Sequence, residues 1–168
     1  MGSYLPKITY AFGSNLDWKN IDFSFMFQGI SGVKIFNGFK SMGITGRQVP
    51  SNMLTMVLDS WEYNKNSGIP RLGLLSDPNG NYTNPSDFML EDGSYLRLKN
   101  LALGYTIPSS FLTQLKLTGM NVRAYINAEN VLTITKYTGF DPEVGNFGID
   151  GGRYPNARLI SFGLNINF

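Results

Sequence analysis

The sequence predicts an all-β fold: an antiparallel up-and-down transmembrane β-barrel fragment of about five strands, with a long extracellular loop that contains a short helix. Three observations predict it. In residues 158–168, Phe168, Ile166, Leu164, Phe162 and Ile160 fall on one face of an extended strand, and Asn167, Asn165, Gly163 and Ser161 fall on the other. Water penalises so greasy a terminus, whereas a barrel strand in lipid is apolar outward, polar inward and bounded by aromatics. Residues 21–29 repeat the pattern, with Ile21, Phe23, Phe25 and Phe27 against Asp22, Ser24, Met26 and Gln28. No run approaches the roughly 18 apolar residues of a membrane helix, so a bilayer would be met by strands.

Composition removes several classes of function. The 168 residues suffice for one domain with a sizeable core. A net charge of only +2, with acids and bases interspersed, gives no basic stripe for nucleic acid and no polybasic membrane patch. Cysteine and histidine are both absent, which removes disulfides, thiolate chemistry and the commonest metal ligand and proton shuttle. No cofactor, metal site or catalytic residue is therefore expected. Met1-Gly2-Ser3-Tyr4-Leu5-Pro6 has neither a basic region nor an apolar core, so no secretion signal is predicted. A barrel chain of this kind is expected to be a piece of something longer, its Met1 an internal methionine.

The first strand is predicted over 7–17, with Ile8, Tyr10, Phe12 and Leu16 on one face and Thr9, Ala11, Gly13 and Asn15 on the other. A turn at Asp17-Trp18-Lys19-Asn20 returns it into the second strand, forming a hairpin. Some sixty Gly-, Asn-, Ser- and Pro-rich residues follow, too long for an idle connection. Within them Leu54, Val57, Leu58 and Trp61 recur at helical spacing after Pro50-Ser51, and Asn66-Ser67-Gly68 would stop the helix. Residues 76–85 are turn chemistry throughout. The third strand, 94–107, changes parity from Leu96 and Leu98 to Leu101, Leu103, Tyr105 and Ile107, which predicts a bulge near Lys99-Asn100. A helical turn or two follows Pro108, with Ser109 capping and Phe111, Leu112 and Leu115 inward. The fourth strand, 120–129, sets Met120, Val122, Ala124, Ile126 and Ala128 against Asn121, Arg123, Tyr125, Asn127 and Glu129. A glycine-rich acidic loop, 133–154, leads to the last strand. Short and long connections thus alternate as in outer-membrane barrels, with 17–20 and 108–119 periplasmic and 30–93 and 133–154 extracellular if the carboxyl end lies on the periplasmic side.

The stretch Glu91-Asp92-Gly93-Ser94-Tyr95-Leu96-Arg97-Leu98-Lys99-Asn100-Leu101, with Leu103-Gly104-Tyr105, resembles the SusC/RagA-type TonB-dependent transporters of Bacteroidetes outer membranes. So do Asn127-Ala128-Glu129-Asn130-Val131-Leu132-Thr133 running into Lys136-Tyr137-Thr138-Gly139-Phe140-Asp141-Pro142-Glu143, the closing Gly151-Gly152-Arg153-Tyr154-Pro155-Asn156-Ala157-Arg158 with Phe162-Gly163-Leu164-Asn165, and, in the first hairpin, Trp18-Lys19-Asn20, Phe23 and Phe27-Gln28-Gly29. The motifs keep their order over nearly the whole chain; residues 30–90 match least. The resemblance implies the last strands of a barrel of about 22 with a plugged lumen, whose plug, TonB-contacting segment and signal lie outside this chain. It implies import of oligosaccharides or peptides with a SusD-like lipoprotein lid. The implied partners are the remainder of the barrel and plug, that surface lipoprotein, the TonB complex and outer-membrane lipid, and the implied location is the outer membrane.

Trp61, Tyr63, Tyr82 and Phe88 are the candidates for substrate or lid contact, since aromatic faces stack on sugar rings and peptide side chains; otherwise they anchor the loop on itself. Arg123, Tyr125, Asn127 and Glu129 point to the lumen by parity, where they meet plug or solute. Trp18, Tyr105 and Phe168 fit the periplasmic aromatic girdle, and the resemblance gives a terminal aromatic such as Phe168 a part in barrel assembly. Arg97 and Lys99 face extracellular lipid headgroups or substrate in one reading and hold a strand end in the other, the structural role being the better fit. Asp141, Glu143 and Asp150 could coordinate calcium or pair as acid and base, but the resemblance makes the Asp141-Pro142-Glu143 segment a turn motif and nothing supplies the spacing for acid/base work. Asp77-Pro78-Asn79-Gly80-Asn81 opens like a calcium loop, yet Tyr82 and Phe88 occupy its glycine and bidentate-acid positions. The alternative fold is a secreted carbohydrate-binding β-sandwich, in which Phe23, Phe25 and Phe27 would meet Phe162, Leu164 and Ile166 in a dry core. A hydrolase built on the acidic loop would depend on Asp141 or Glu143.

Overall fold

The computed structural model describes residues 2–45, 52–61, 63–71, 80–81, 84–144 and 146–168. In chain order its elements are β1 (Ile8–Trp18), β2 (Ile21–Ser31), β3 (Lys34–Asn37), α1 (Gly38–Thr45), β4 (Leu90–Asp92), β5 (Tyr95–Thr106), α2 (Ser109–Gln114), β6 (Asn121–Thr135), β7 (Ile149–Asp150) and β8 (Leu159–Asn167). They sort into two compact units. One comprises Ile8–Ser31, Tyr95–Thr135 and Asn156–Phe168; the other comprises Met1–Lys7, Gly32–Ser94 and Lys136–Pro155.

The first unit is a five-stranded sheet in the order β1-β2-β5-β6-β8, every neighbour antiparallel. Because directly paired residues share a face, the register decides what each face carries. Leu16↔Phe23↔Leu103↔Ile126↔Phe162 run across one face, as do Trp18↔Ile21↔Tyr105↔Ala124↔Leu164. Phe12 stacks on Phe27 at 5.0 Å, and Phe25 lies 5.9 Å from both Phe23 and Phe27 on the same face. The opposite face carries Asp22↔Gly104↔Tyr125↔Gly163 and Ser24↔Ala102↔Asn127↔Ser161.

The predicted bulge is present. Adjacent Met26 and Phe27 of β2 pair with Asn100 and Leu98, so Lys99 is the extra residue of the bulge and the parity of β5 switches there. Across β5 and β6, Asn100 meets Glu129 while Leu98 meets Leu132, so β6 takes three steps where β5 takes two. Asn130 absorbs the extra residue with φ of 52°, a left-handed conformation asparagine tolerates better than most residues, and its Nδ2 donates to the Ala157 carbonyl at 3.0 Å. This compensation carries β6 on to Thr135, six residues past the predicted end.

Three local expectations are corrected. Residues 54–61 form a 3-10 turn, Thr55–Asp59, with Val57 buried, instead of an α-helix. No side chain caps it and the chain is extended again at Ser60, so only one turn is held. In α2 the capping position belongs to Pro108, and Ser109 is the first helical residue. There only Leu112 is buried; Phe111 and Leu115 are exposed.

The second unit was read from sequence as loop but contains a small sheet in the order β4-β3-β7, antiparallel between β3 and β4 and parallel between β3 and β7. Ile44, Val57 and Met89 form its core, with Phe36, Leu54, Met56 and Phe88 packed around them. The helix α1 starts where the Asn37 side chain accepts the Lys40 N–H at 2.8 Å, an N-cap that satisfies one of the helix's orphan donors.

Candidate functional site

The five-stranded sheet offers two surfaces of opposite chemistry. On the apolar face the large side chains of β1 and β8 stay uncovered, Phe162 to 79% and Leu164 likewise, while Phe23, Phe25, Phe27 and Ile126 are half-buried. The sandwich alternative required the aromatic row of β2 and the aliphatic row of β8 to meet across a dry core. They lie instead on the same face of one sheet.

On the polar face, Arg123 of β6 reaches across β5 to Asp22 of β2, donating from Nε at 2.8 Å and from Nη2 at 2.5 Å. This bidentate pair crosses directly above Gly104, where a Cβ would strike both the Asp22 carboxylate and the Arg123 guanidinium. The glycine is therefore a requirement of the ion pair. The Tyr125 ring lies over Gly163 of β8 in the same manner, and the Arg123 guanidinium sits 5.1 Å from it. Asn127 and Glu129 occupy the same face. Arg97 is buried, with Nε donating to the Thr133 hydroxyl at 2.9 Å and its guanidinium 5.5 Å from the Tyr95 ring.

Trp18, Tyr105 and Phe168 lie at one end of the sheet. Trp18 and Tyr105 both pair with Ile21 or follow it in register, and Phe168 follows Asn167, which pairs with Asn121 at the start of β6. The Phe168 side chain is 97% exposed.

In the smaller unit the three stretches Glu91–Ser94, Tyr137–Thr138 and Asp150–Arg153 meet in one polar knot. The Glu91 carboxylate accepts from the Thr138 N–H at 2.9 Å, the Thr138 hydroxyl at 2.7 Å and the Asn37 amide at 3.2 Å, with the Lys40 ammonium at 3.5 Å. Burial alone would raise the Glu91 pKa, but the Thr138, Asn37 and Lys40 groups together outweigh it and hold the carboxyl below the usual glutamate range. Tyr137 donates to Asp150 at 2.5 Å. Burial first, and then this bond to a carboxylate, push the phenol well above the ordinary tyrosine value. Asp150 also accepts the Gly152 N–H at 2.8 Å, so the acid that sequence offered as a calcium ligand or catalytic carboxylate is engaged in tying the chain together. Asp141 accepts the Glu143 N–H at 2.9 Å in a tight turn. Among the described residues no group of three acidic side chains is placed to hold a metal ion.

Among the described residues, no ring contact gathers Trp61, Tyr63 and Phe88 into one place. Trp61 is partly exposed under the Lys65 ammonium, 3.7 Å from its ring centre, and its N–H donates to the Ile69 carbonyl. Tyr63 is exposed. Phe88 packs against the small core, with the Lys40 ammonium 4.1 Å above its ring. Tyr82 and the Asp77–Asn79 turn lie outside the described residues. Sequence reasoning missed Asn37 and Lys40; the spacing of Asn37 three residues before Lys40 was the available signal.

No protein-family model matches the sequence. Among curated proteins the chain is 34% identical over 180 residues to TonB-dependent receptor P3 of Formosa agariphila, covering all of this chain and 17% of that protein. It is 32% identical over 155 residues to TonB-dependent receptor SusC of Bacteroides thetaiotaomicron, covering 92% of this chain and 14% of SusC. Among solved structures it superposes on the RagAB peptide importer in its open-open state with a TM-score of 0.81 and 33% identity, over 99% of this chain and 18% of the other. The closed-closed state gives a TM-score of 0.79. A sheet with one apolar and one polar face, matched along its whole length to such proteins, is a segment of a TonB-dependent receptor barrel. Within that class the chain belongs to the SusC/RagA type. It spans less than a fifth of the length of these relatives.

Proposed function

We propose that the chain forms the carboxyl-terminal wall of an outer-membrane TonB-dependent importer for oligosaccharides or peptides, working with a SusD-like surface lipoprotein and doing no catalytic chemistry. The observation that carries the reading is the apolar face that runs across all five strands, with exposed large side chains on β1, β5 and β8. In water that surface would far exceed the few hundred Å² a soluble monomer normally leaves bare; against acyl chains it is the stable arrangement. Strands β1 and β8 each pair on one side only within this sheet. In a bilayer their remaining backbone groups need partners, which the rest of the barrel supplies.

In this reading the polar face lines the lumen. Arg123, Tyr125, Asn127 and Glu129 face plug and solute, with the Arg123–Asp22 pair stiffening the wall. The connections 30–93 and 133–154 lie outside the cell and carry Trp61, Tyr63, Tyr82 and Phe88 toward substrate or lid. Trp18, Tyr105 and Phe168 stand at the periplasmic boundary. The energy for import arrives through TonB at a plug outside this chain. Peptide cargo is favoured by the likeness to a peptide importer.

The test is uptake by cells carrying the full receptor that contains this segment. Labelled peptides or oligosaccharides of one class enter when TonB is present and stay outside when it is deleted. Import of neither class, or recovery of the receptor in the soluble fraction, refutes the proposal.

A further inference from the structure

The turns at one end of the sheet carry an oddity. Lys19, between β1 and β2, has φ of 54°, and Lys116, just past α2, has φ of 63°. Both are left-handed positions that glycine or asparagine adopts more easily than an ordinary side chain. At α2 the reason for the geometry is plain: the Leu117 N–H donates to the Leu112 carbonyl at 2.9 Å and the Lys116 N–H to the Thr113 carbonyl at 3.0 Å, the paired bonds of a Schellman ending that usually places glycine at this point. Both strained sites hold a lysine.

The side chains beside them are equally out of place for water. Leu112 is 4% exposed and fixes α2 to its unit, yet Phe111, 52% exposed, and Leu115, one turn on along the same helical side, are bare. Residues 107–120 contain no acid. The two turns are adjacent, since the Thr106 N–H donates to the Asn20 carbonyl at 2.8 Å and the Asn20 amide to the Thr106 carbonyl at 3.0 Å. Trp18, under the Lys19 ammonium at 4.7 Å, and Tyr105 continue the apolar face to this end, while Asp17 and Asp22 are paired on the polar face. Apolar side chains flanked by cations, at the rim of a lipid-facing sheet, have the chemistry of an interfacial membrane element.

We propose that α2 is a membrane-surface foot: Phe111 and Leu115 insert among the acyl chains of the adjoining phospholipid leaflet, and Lys19 and Lys116 sit at its phosphates. The inference rests on the lipid-facing reading of the sheet given above. It explains why a connection with only one buried residue keeps Phe111 and Leu115 uncovered.

The experiment places a nitroxide, one at a time, at positions 111, 115, 114 and 25 of the full receptor in phosphatidylethanolamine and phosphatidylglycerol vesicles, and compares collisions with oxygen and with a water-soluble nickel chelate. The labels at 111 and 115 should read shallower than that at 25 but within the bilayer, and the label at 114 should read aqueous. Aqueous signals at 111 and 115 with a lipid signal at 25 overturn the foot and leave the barrel reading standing. Protection at 111 and 115 from both reagents overturns it in favour of a protein partner. An aqueous signal at 25 overturns the lipid-facing sheet, and the foot with it. Positions 111, 114 and 115 are exposed in the structure and 25 is half-buried; a 25-labelled receptor that fails to assemble is replaced by one labelled at 103, exposed on the same face.

Discussion

Replacing Glu91 with alanine removes the acceptor that ties Thr138 to the Asn37–Lys40 stretch. Thr138 loses partners for both its N–H and its hydroxyl, Asn37 loses one for its amide, and the Lys40 ammonium loses its counter-charge. A hydrogen bond to a charged group contributes about 1.5–3 kcal/mol net. These bonds share one half-buried carboxylate whose own desolvation opposes them, so their sum is not the answer; the cost is at most the lower end of the about 3–5 kcal/mol for breaking a fully buried pair from one side. Taking the lower figure, the local opening equilibrium between Glu91 and Thr138 rises roughly a hundredfold, at about 1.4 kcal/mol per decade. Glu91→Gln keeps one oxygen and the shape and should cost about 1–2 kcal/mol. Amide hydrogen exchange on the full receptor in detergent reads this directly: the Thr138 amide accelerates most in Glu91→Ala, less in Glu91→Gln, while amides of β2 and β5 keep their rates. Because the folded Glu91 pKa lies below its unfolded value, its contribution is complete above the ordinary glutamate range and is lost as pH falls through the lowered value. Wild-type Thr138 exchange, corrected for intrinsic rate, should thus be flat from pH 7 to about 5. Equal exchange in Glu91→Ala and wild type, or acceleration spread evenly over the sheet, refutes the reasoning.

Further outcomes follow from other contacts. Tyr137→Phe removes one hydrogen bond to a buried carboxylate and should destabilise the small unit by about 1–2 kcal/mol, read as faster exchange around Asp150. The raised Tyr137 pKa adds a second readout: the 295 nm difference between wild type and Tyr137→Phe should stay flat through about pH 11, where unperturbed tyrosines with pKa near 10 have ionised. Gly104→Val drives a side chain into the Asp22–Arg123 pair and should cost about 1–3 kcal/mol as overpacking, seen as a lower temperature of barrel unfolding on heated gels. Phe25→Lys sets a charge on the lipid face and should cost about 2–4 kcal/mol at mid-bilayer, read in unfolding from lipid vesicles.

Much of the sheet was legible because a strand with one wet and one greasy face writes its structure at period two. Phe23, Phe25 and Phe27 leave no other reading, and the parity switch between Leu98 and Leu101 located the bulge at Lys99. The end of β6 was not legible, since the compensating residue is Asn130 in a left-handed conformation, which from sequence reads as the start of a loop. The small unit was hidden for a different reason. Its strands are two to four residues long, too short for any periodicity, and α1 contains Gly38 and Gly43, which argue against a helix until the Asn37 cap is seen. Of the candidate residues, Arg123, Tyr125, Asn127 and Glu129 share one sheet face as parity predicts. The role of Asp150 was not legible, because a buried acid bound to a tyrosine 13 residues away in sequence looks the same in a one-dimensional string as an exposed one.

The central claim is that alternate residues of each strand face hydrocarbon and lumen. Bimane attached to single introduced cysteines at positions 122 to 127 of β6, in the full receptor reconstituted with brominated lipid, tests it. Quenching at 122, 124 and 126, with little at 123, 125 and 127, is the predicted result; uniformly weak quenching at all six, as in a sheet packed dry against protein, contradicts it.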